Sequence, residues 1–195
     1  MLNELAQKIN AAVAGANVTV HNSPDAKSDS SVYVEASKIH AVAAYIKSSN
    51  SMNVLQAISG VDYVDYMEVV YIFAKFDFEK PSQLLLKVKL TDRVSPNVDT
   101  ICDLYPAANF QERECFDMFG VKFNKHPDHR RILCPDDWEG FPLRKDYMAQ
   151  KVYNGMTVYP EGKMNMADRE FIVRQKMIKG AQEAASSDAS EGKVQ

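Results

Sequence analysis

Residues 67–90 read MEVVYIFAKFDFEKPSQLLLKVKL. The first part, 67–76, is apolar on nearly both faces, which suits a central strand covered on both sides. The second part, 83–90, alternates: Leu84, Leu86, Val88 and Leu90 face one way, and Gln83, Lys87 and Lys89 include the other face. Lys80 and Pro81 separate the two, so the spacing predicts a hairpin. Toward the N-terminus, NVLQAISGVDY (53–63) reads as a third strand, with Gly60 placed for a bulge or bend. Ser37 is positioned to cap a helix whose apolar face carries Ile39, Val42, Ala43 and Ile46, closed by the SSNS run at 48–51. SVYVEA (31–36) and NVTVHN (17–22) are strands flanking a polar turn at 23–30. Leu2, Leu5, Ile9, Ala12 and Val13 recur at helical spacing over 2–14, and Gly15 and Asn17 end that helix. Helix, two strands, helix, three strands is the order of an α+β domain over 1–97, with helices packed on one face of a sheet.

Composition sets outer bounds. The chain has 195 residues, 46% apolar and 25% charged, as in an ordinary globular protein. The net charge of −3 gives nothing for a polyanion to hold, which argues against nucleic acid. No apolar run reaches the roughly 20 residues of a membrane span. The N-terminus lacks a basic start followed by an apolar core, so it reads as an amphipathic helix and not a signal peptide. Cys102, Cys115 and Cys134 are few, odd in number and never two apart in a CxxC pair, as expected in a reducing compartment.

The character changes past residue 96. Residues 98–105 are expected to form a short helix stopped by Pro106, and Asn109 stands three residues before Glu112 at the spacing of a capping box. Phe110, Arg113, Phe116 and Phe119 follow along the helix so begun, and Gly120 is placed to end it with φ > 0. A helical connector over 98–120 thus leads into 121–185. There, up to 162, no period is sustained and Pro, Gly, aromatic and charged residues crowd together, so the segment is expected to lie extended across a partner. MADREFIVRQKMIKGAQEAA (166–185) has the composition of a helix, and 186–195 of a disordered tail.

Residues 108–147, ANFQERECFDMFGVKFNKHPDHRRILCPDDWEGFPLRKDY, hold eight acidic residues, seven Lys or Arg and two His. Such interleaved charge with Phe, Trp and Pro suits a specific protein interface, where Arg pairs with carboxylates and aromatics anchor pockets. Cys115, His126, His129 and Cys134 offer a Cys2His2 set, but the cysteines are too far apart for the usual zinc pattern, and hydrogen-bonding histidines are the plainer reading. Glu112, Glu114 and Asp117 offer carboxylates for acid–base chemistry, with Glu114 and Asp117 on one helix face. The nearby Arg113, Arg130, Arg131, Arg144 and Lys145 point instead to salt bridges. There is no phosphate loop, GxSxG or dinucleotide fingerprint.

The run Glu112-Arg113-Glu114, Asp117-Met118-Phe119-Gly120-Val121, Phe123, His126-Pro127-Asp128, Arg130-Arg131-Ile132-Leu133, Pro135, Asp137-Trp138, Gly140, Pro142-Leu143-Arg144-Lys145-Asp146-Tyr147 closely resembles the signature of the thirty-kilodalton subunit family of respiratory complex I, the C-type subunit of NADH–quinone oxidoreductase. It covers about a fifth of the chain. Departures fall at Tyr105, Cys115, Phe116, Lys125 and His129.

The resemblance implies a non-catalytic subunit of NADH–quinone oxidoreductase, with no catalytic, cofactor-binding or metal residues of its own. FMN, iron–sulfur clusters and quinone are expected in other subunits. It further implies a place in the hydrophilic arm, peripheral on the cytoplasmic side of a bacterial inner membrane. The partners implied are the D-type, quinone-site subunit and neighbouring iron–sulfur subunits. The C-terminal part would bury Trp138, Phe141, Leu143 and Tyr147 against the quinone-site partner. Arg130, Arg131, Arg144 and Lys145 would pair with its carboxylates or with Glu112, Glu114 and Asp117. Three other readings stand beside it: the equivalent subunit of a membrane-bound hydrogenase or deazaflavin-linked dehydrogenase, a stand-alone metal-dependent enzyme, and a free-standing adaptor.

Overall fold

The computed structural model describes residues 2–21, 31–49, 52–63, 65–75 and 82–157. The expected turn at 23–30, the Lys80–Pro81 connection, the helix at 166–185 and the tail at 186–195 lie outside the described residues. Residues 1–148 form one compact unit and 149–195 a second.

The first unit opens with α1 (Leu2–Ala12), which buries Ala6 and Ile9. Gly15 at φ 77° and Asn17 at φ 47° turn the chain out of it. Strand β1 (Thr19–His21) pairs antiparallel with β2 (Ser31–Val34). A 3-10 turn over Ala36–Lys38 then leads into α2 (Ile39–Ser49). Ser37 lies inside that turn and caps nothing; the residue before the turn is Glu35, whose side chain makes no cap bond. The expected cap is corrected because the chain enters α2 already coiled, with αR geometry at Ile39, leaving no extended N-cap position for Ser37.

Strands β3 (Val54–Asp62), β4 (Met67–Lys75) and β5 (Ser82–Leu90) follow. The hairpin expected from 67–90 is present, and its register sets Met67 opposite Leu90, Val69 opposite Val88, Tyr71 opposite Leu86 and Phe73 opposite Leu84. All eight side chains are buried in one cluster with Ile9, Ile39, Val42 and Ile46 of the helices. The alternation read in 83–90 is therefore the core face of the sheet. The strand order is β1-β2-β5-β4-β3, with only β2 and β5 parallel within this sheet. The fold is α+β, as expected.

Gly60 is not the bulge. The register shift falls between Leu55 and Ala57, and Gly60 pairs regularly with Val69. A Cβ at Gly60 would come within 2.5 Å of the Phe119 ring, so the missing side chain makes room for an aromatic from far along the chain.

The expected helix at 98–105 is also corrected. Asn97–Asp99 is a short strand, β6, and turns follow it. It pairs in parallel with β7 (Lys122–Asn124), placing Val98 beside Phe123. Burial of Val98, Ile101 and Tyr105 fixes this path, and Tyr105 donates its hydroxyl hydrogen to the Met52 carbonyl at 2.6 Å. Between β6 and β7 lies α3 (Ala108–Phe119), ended by Gly120 at φ 74° with its N–H on the Phe116 carbonyl, as its position implied.

The expectation of no regular structure over 121–162 fails at β7 and again in the second unit. There β8 (Val152–Tyr153) and β9 (Met156–Thr157) form a small hairpin. Asn154 and Gly155, both at positive φ, make its turn, the Asn-Gly chemistry of two-residue hairpin loops.

Candidate functional site

Helix α3 buries charge. Glu112, Arg113 and Asp117 are all buried, beside Cys115 and Ala108. Each charge is met by a particular segment of chain.

Glu112 faces the turn after β6. Its Oε1 accepts the Ile101 N–H at 2.9 Å, and its Oε2 accepts the Thr100 hydroxyl at 2.5 Å and the Cys102 thiol at 3.3 Å. It does not close a capping box with Asn109. The residue before α3 is Ala107, without a side-chain cap bond, and Asn109 lies within the helix. Thr100, Ile101 and Cys102 compete for the same carboxylate and hold it. His126, its side chain wholly buried, brings Nε2 to 3.8 Å from Glu112. The Asp128 N–H donates to His126 Nδ1 at 3.0 Å, so the ring proton sits on Nε2 and points at the Asn109 carbonyl, 3.2 Å away. Burial raises the pKa of Glu112 even against its donors.

Asp117 faces the loop after β7. Its Oδ2 accepts the amides of Ile132, Leu133 and Cys134 at 3.1, 2.6 and 2.8 Å. Its Oδ1 accepts Arg131 Nη1 at 2.7 Å, and Arg131 Nη2 reaches the Gly140 carbonyl at 2.8 Å. Burial would raise the Asp117 pKa, but three amides and a guanidinium bring it below the ordinary value. Arg113, four residues earlier on the helix, holds the same loop through the carbonyls of Arg130 and Arg131, both at 3.1 Å, and pairs with Asp128 at 3.2 Å. Residues 128–134 are thus pinned to α3 from two successive turns.

A third clamp holds 140–147. The Leu143 amide donates to the Met118 carbonyl at 3.1 Å, and Arg144 reaches the carbonyls of Phe119 and Arg93. The Lys145 amide donates to Asp62 at 2.7 Å, and Asp62 also pairs with Arg93. Phe141 has the Arg144 guanidinium 4.6 Å and the Arg131 guanidinium 5.3 Å from its ring centre. A Cβ on Gly120 would strike the Phe141 ring, so that glycine serves the packing as well as the turn. Trp138 donates its indole N–H to the Tyr147 hydroxyl at 3.1 Å.

Several expectations need correction. Glu114 and Asp117 do not share an environment: Glu114 is exposed and Asp117 buried. Cys115, His126, His129 and Cys134 do not form one set, in line with their spacing, because Cys115 is buried against the Gly60 backbone while Cys134 sits at Asp117. His126 and His129 stay neighbours, with ring centres 5.8 Å apart, and His129 accepts the Phe123 N–H at 3.1 Å. The residues gathered instead are Cys102, Glu112 and His126, whose donor atoms lie within 4.8 Å of one another. Arg130 is exposed and pairs with Asp128; Asp146 is exposed near Arg93; Pro127 and Lys145 are exposed and Pro142 is half-buried. Sequence reading missed Asp62, Arg93, Thr100 and Cys102 as members of these clusters. The nearest signal for Asp62 is its place at the end of an apolar strand.

The family model of the respiratory-chain NADH dehydrogenase 30 kDa subunit matches residues 32–153, which include β2 from its second residue, β3 to β5, α3 and all three clamps. The chain belongs to this family. Among relatives of the 30 kDa subunit, the C-type subunit of NADH-quinone oxidoreductase from Chloroherpeton thalassium is 44% identical over 105 residues, 53% of this chain and 43% of the relative. Its counterpart from Moorella thermoacetica is 41% identical over 117 residues, 60% of this chain and 78% of the relative. A solved chain from the membrane-bound sulfane sulfur reductase, an archaeal respiratory membrane complex, is 25% identical with a TM-score of 0.62, covering 84% of this chain and 97% of that one. No helix among the described residues is long and apolar enough to cross a membrane.

Proposed function

We propose that this chain is a non-catalytic structural subunit in the hydrophilic arm of proton-translocating NADH–quinone oxidoreductase. It docks on the quinone-site subunit and neighbouring iron–sulfur subunits, peripheral on the cytoplasmic side of the bacterial inner membrane. Those subunits carry FMN, the clusters and the quinone.

One observation carries the reading. The clamps of α3 use their buried charges on the chain's own backbone, while large apolar side chains on the fixed stretch are left outward. Phe110 and Leu133 are each 63% exposed, Leu143 54% and Met148 87%. Exposed apolar groups on a rigid, polar-rimmed frame are what a partner buries. The clamps also refine two expectations about the interface. Arg131 acts inside the chain, through Asp117, and Phe141 is held by Arg131 and Arg144, so Leu133 and Leu143 are the better partner contacts.

Capture of the tagged chain from gently solubilised membranes, with partners identified by mass spectrometry and an assay of NADH-dependent quinone reduction, tests this. Leu133→Glu and Leu143→Glu should leave the isolated chain's melting temperature unchanged and deplete the captured complex. Full capture by both variants would sink the reading. The likeness to a chain of a sulfane sulfur reductase favours a second reading, the same role in a related complex with another electron donor or acceptor. Capture of quinone-site and cluster-bearing subunits without NADH activity would select it.

A further inference from the structure

We propose that Cys102, Glu112 and His126 form a binding site for a divalent transition-metal ion of the zinc class. The Cys102 Sγ lies 3.3 Å and the His126 Nε2 3.8 Å from Glu112 Oε2, and all three donors fall within 4.8 Å. Ligands around a tetrahedral ion with bonds of 2.0–2.3 Å stand about 3.3–3.7 Å apart. The donors come from three separate segments: the turn after β6, the body of α3 and the turn after β7.

Charge supports the assignment. Glu112 is wholly buried, yet every group that hydrogen-bonds it is neutral: a hydroxyl, an amide and a thiol. Asp117, on the same helix, has a guanidinium. The His126 ring lies 3.8 Å away, but with the Asp128 amide on its Nδ1 it is neutral and supplies no counter-charge; a divalent ion balanced by Glu112 and a Cys102 thiolate removes the cost of that uncompensated carboxylate. The Tyr71 hydroxyl is also buried with no hydrogen-bond partner among the described residues. Entry is open, because a cleft of about 800 Å³, lined by Thr100, Cys102, Asp103, Asn109 and His40 among others, reaches Cys102.

Binding requires two proton movements. In the metal-free chain the His126 ring proton is on Nε2 and the Asp128 amide donates to Nδ1. Ligation at Nε2 moves that proton to Nδ1 and releases the Asp128 amide, while the Cys102 thiol gives one proton to solvent. Only ions with a strong preference for thiolate and imidazole can drive this exchange, so magnesium and calcium are excluded by chemistry.

The experiment is a cobalt(II) titration of the purified full chain, read by the thiolate-to-cobalt charge-transfer absorption. One equivalent should saturate the band, zinc(II) should displace it, and magnesium should not. Cys102→Ser, which keeps a donor to Glu112, should abolish the band while circular dichroism stays native. Cys134→Ser should leave it intact. No band in the folded wild type, or a band that survives Cys102→Ser, would overturn the proposal.

Discussion

Glu112 and Asp117 are both buried carboxylates on one helix, five residues apart, and they behave oppositely. Asp117 meets three backbone amides and an arginine, and its pKa falls. Glu112 meets one amide, a hydroxyl and a thiol, and its pKa rises. Burial pushes both carboxyls up; at Asp117, the less deeply desolvated of the two, three amides and a guanidinium outweigh it, and at Glu112 one amide, a hydroxyl and a thiol do not. The two also fix different things: Glu112 shapes the turn that carries Cys102, and Asp117 ties down the loop that carries Leu133.

The sharpest way to break the comparison is Asp117→Ala. It removes the acceptor of three amides and leaves Arg131 unpaired, so a loss of about 3–5 kcal/mol is expected in urea denaturation. Hydrogen exchange at Ile132, Leu133 and Cys134 should speed up first. Slow exchange there in the variant would show that something else holds the loop. Gly60→Ala comes next, at roughly 1–3 kcal/mol, since the new methyl group meets the Phe119 ring. Recovery of most of that loss by Phe119→Ala in the same chain would confirm the contact, and additive losses would refute it.

A pH titration of stability separates the two acids by sign. Asp117, with a depressed folded pKa, contributes stability that is present above the unfolded value of about 3.9 and is lost as pH falls through the folded value. Glu112, with a raised folded pKa, favours the fold while protonated, and that benefit is lost as pH rises from about 4.3 through its folded value. The stability of Glu112→Gln relative to wild type should therefore climb as pH rises across that window. A flat difference would mean that the donors fully offset burial. The smallest effect is expected at Arg130→Ala: this exposed side chain pairs with a neighbouring exposed carboxylate, and the denaturation midpoint should not move.

Sequence reading succeeded where the determinants are local. The alternation in 83–90 gives the core face directly, because side chains in a strand repeat every two residues. Gly120 announces itself because a left-handed residue after a helix has few alternatives. It failed where distant segments compete. Residues 98–105 look helical alone, but β7 offers Asn97–Asp99 a parallel partner some 25 residues on. The Asn109–Glu112 spacing is right for a capping box, yet Glu112 is claimed by Thr100 and Ile101. The purpose of Gly60 depends on Phe119, and no local pattern records it. Spacing argues rightly against a Cys115, His126, His129 and Cys134 site, but it gives no sign that Cys102 comes near His126, which happens because β6 and β7 lie side by side. The signature residues stand out as chemistry, and their charges offer the Arg131–Asp117 pair that forms, but nothing in their order tells that Arg144 binds the carbonyls of Phe119 and Arg93.

The bond from the Lys145 amide to Asp62 joins positions 83 residues apart. Asp62 leaves the ribosome long before Lys145 does. At roughly 5–20 residues per second the acceptor waits about 4–17 s for its donor. Arg93 is made 31 residues after Asp62, so their ion pair is available well before the Lys145 bond, and the 140–147 clamp is the last of the three whose residues are all made. Slow translation through 93–145 lengthens that interval.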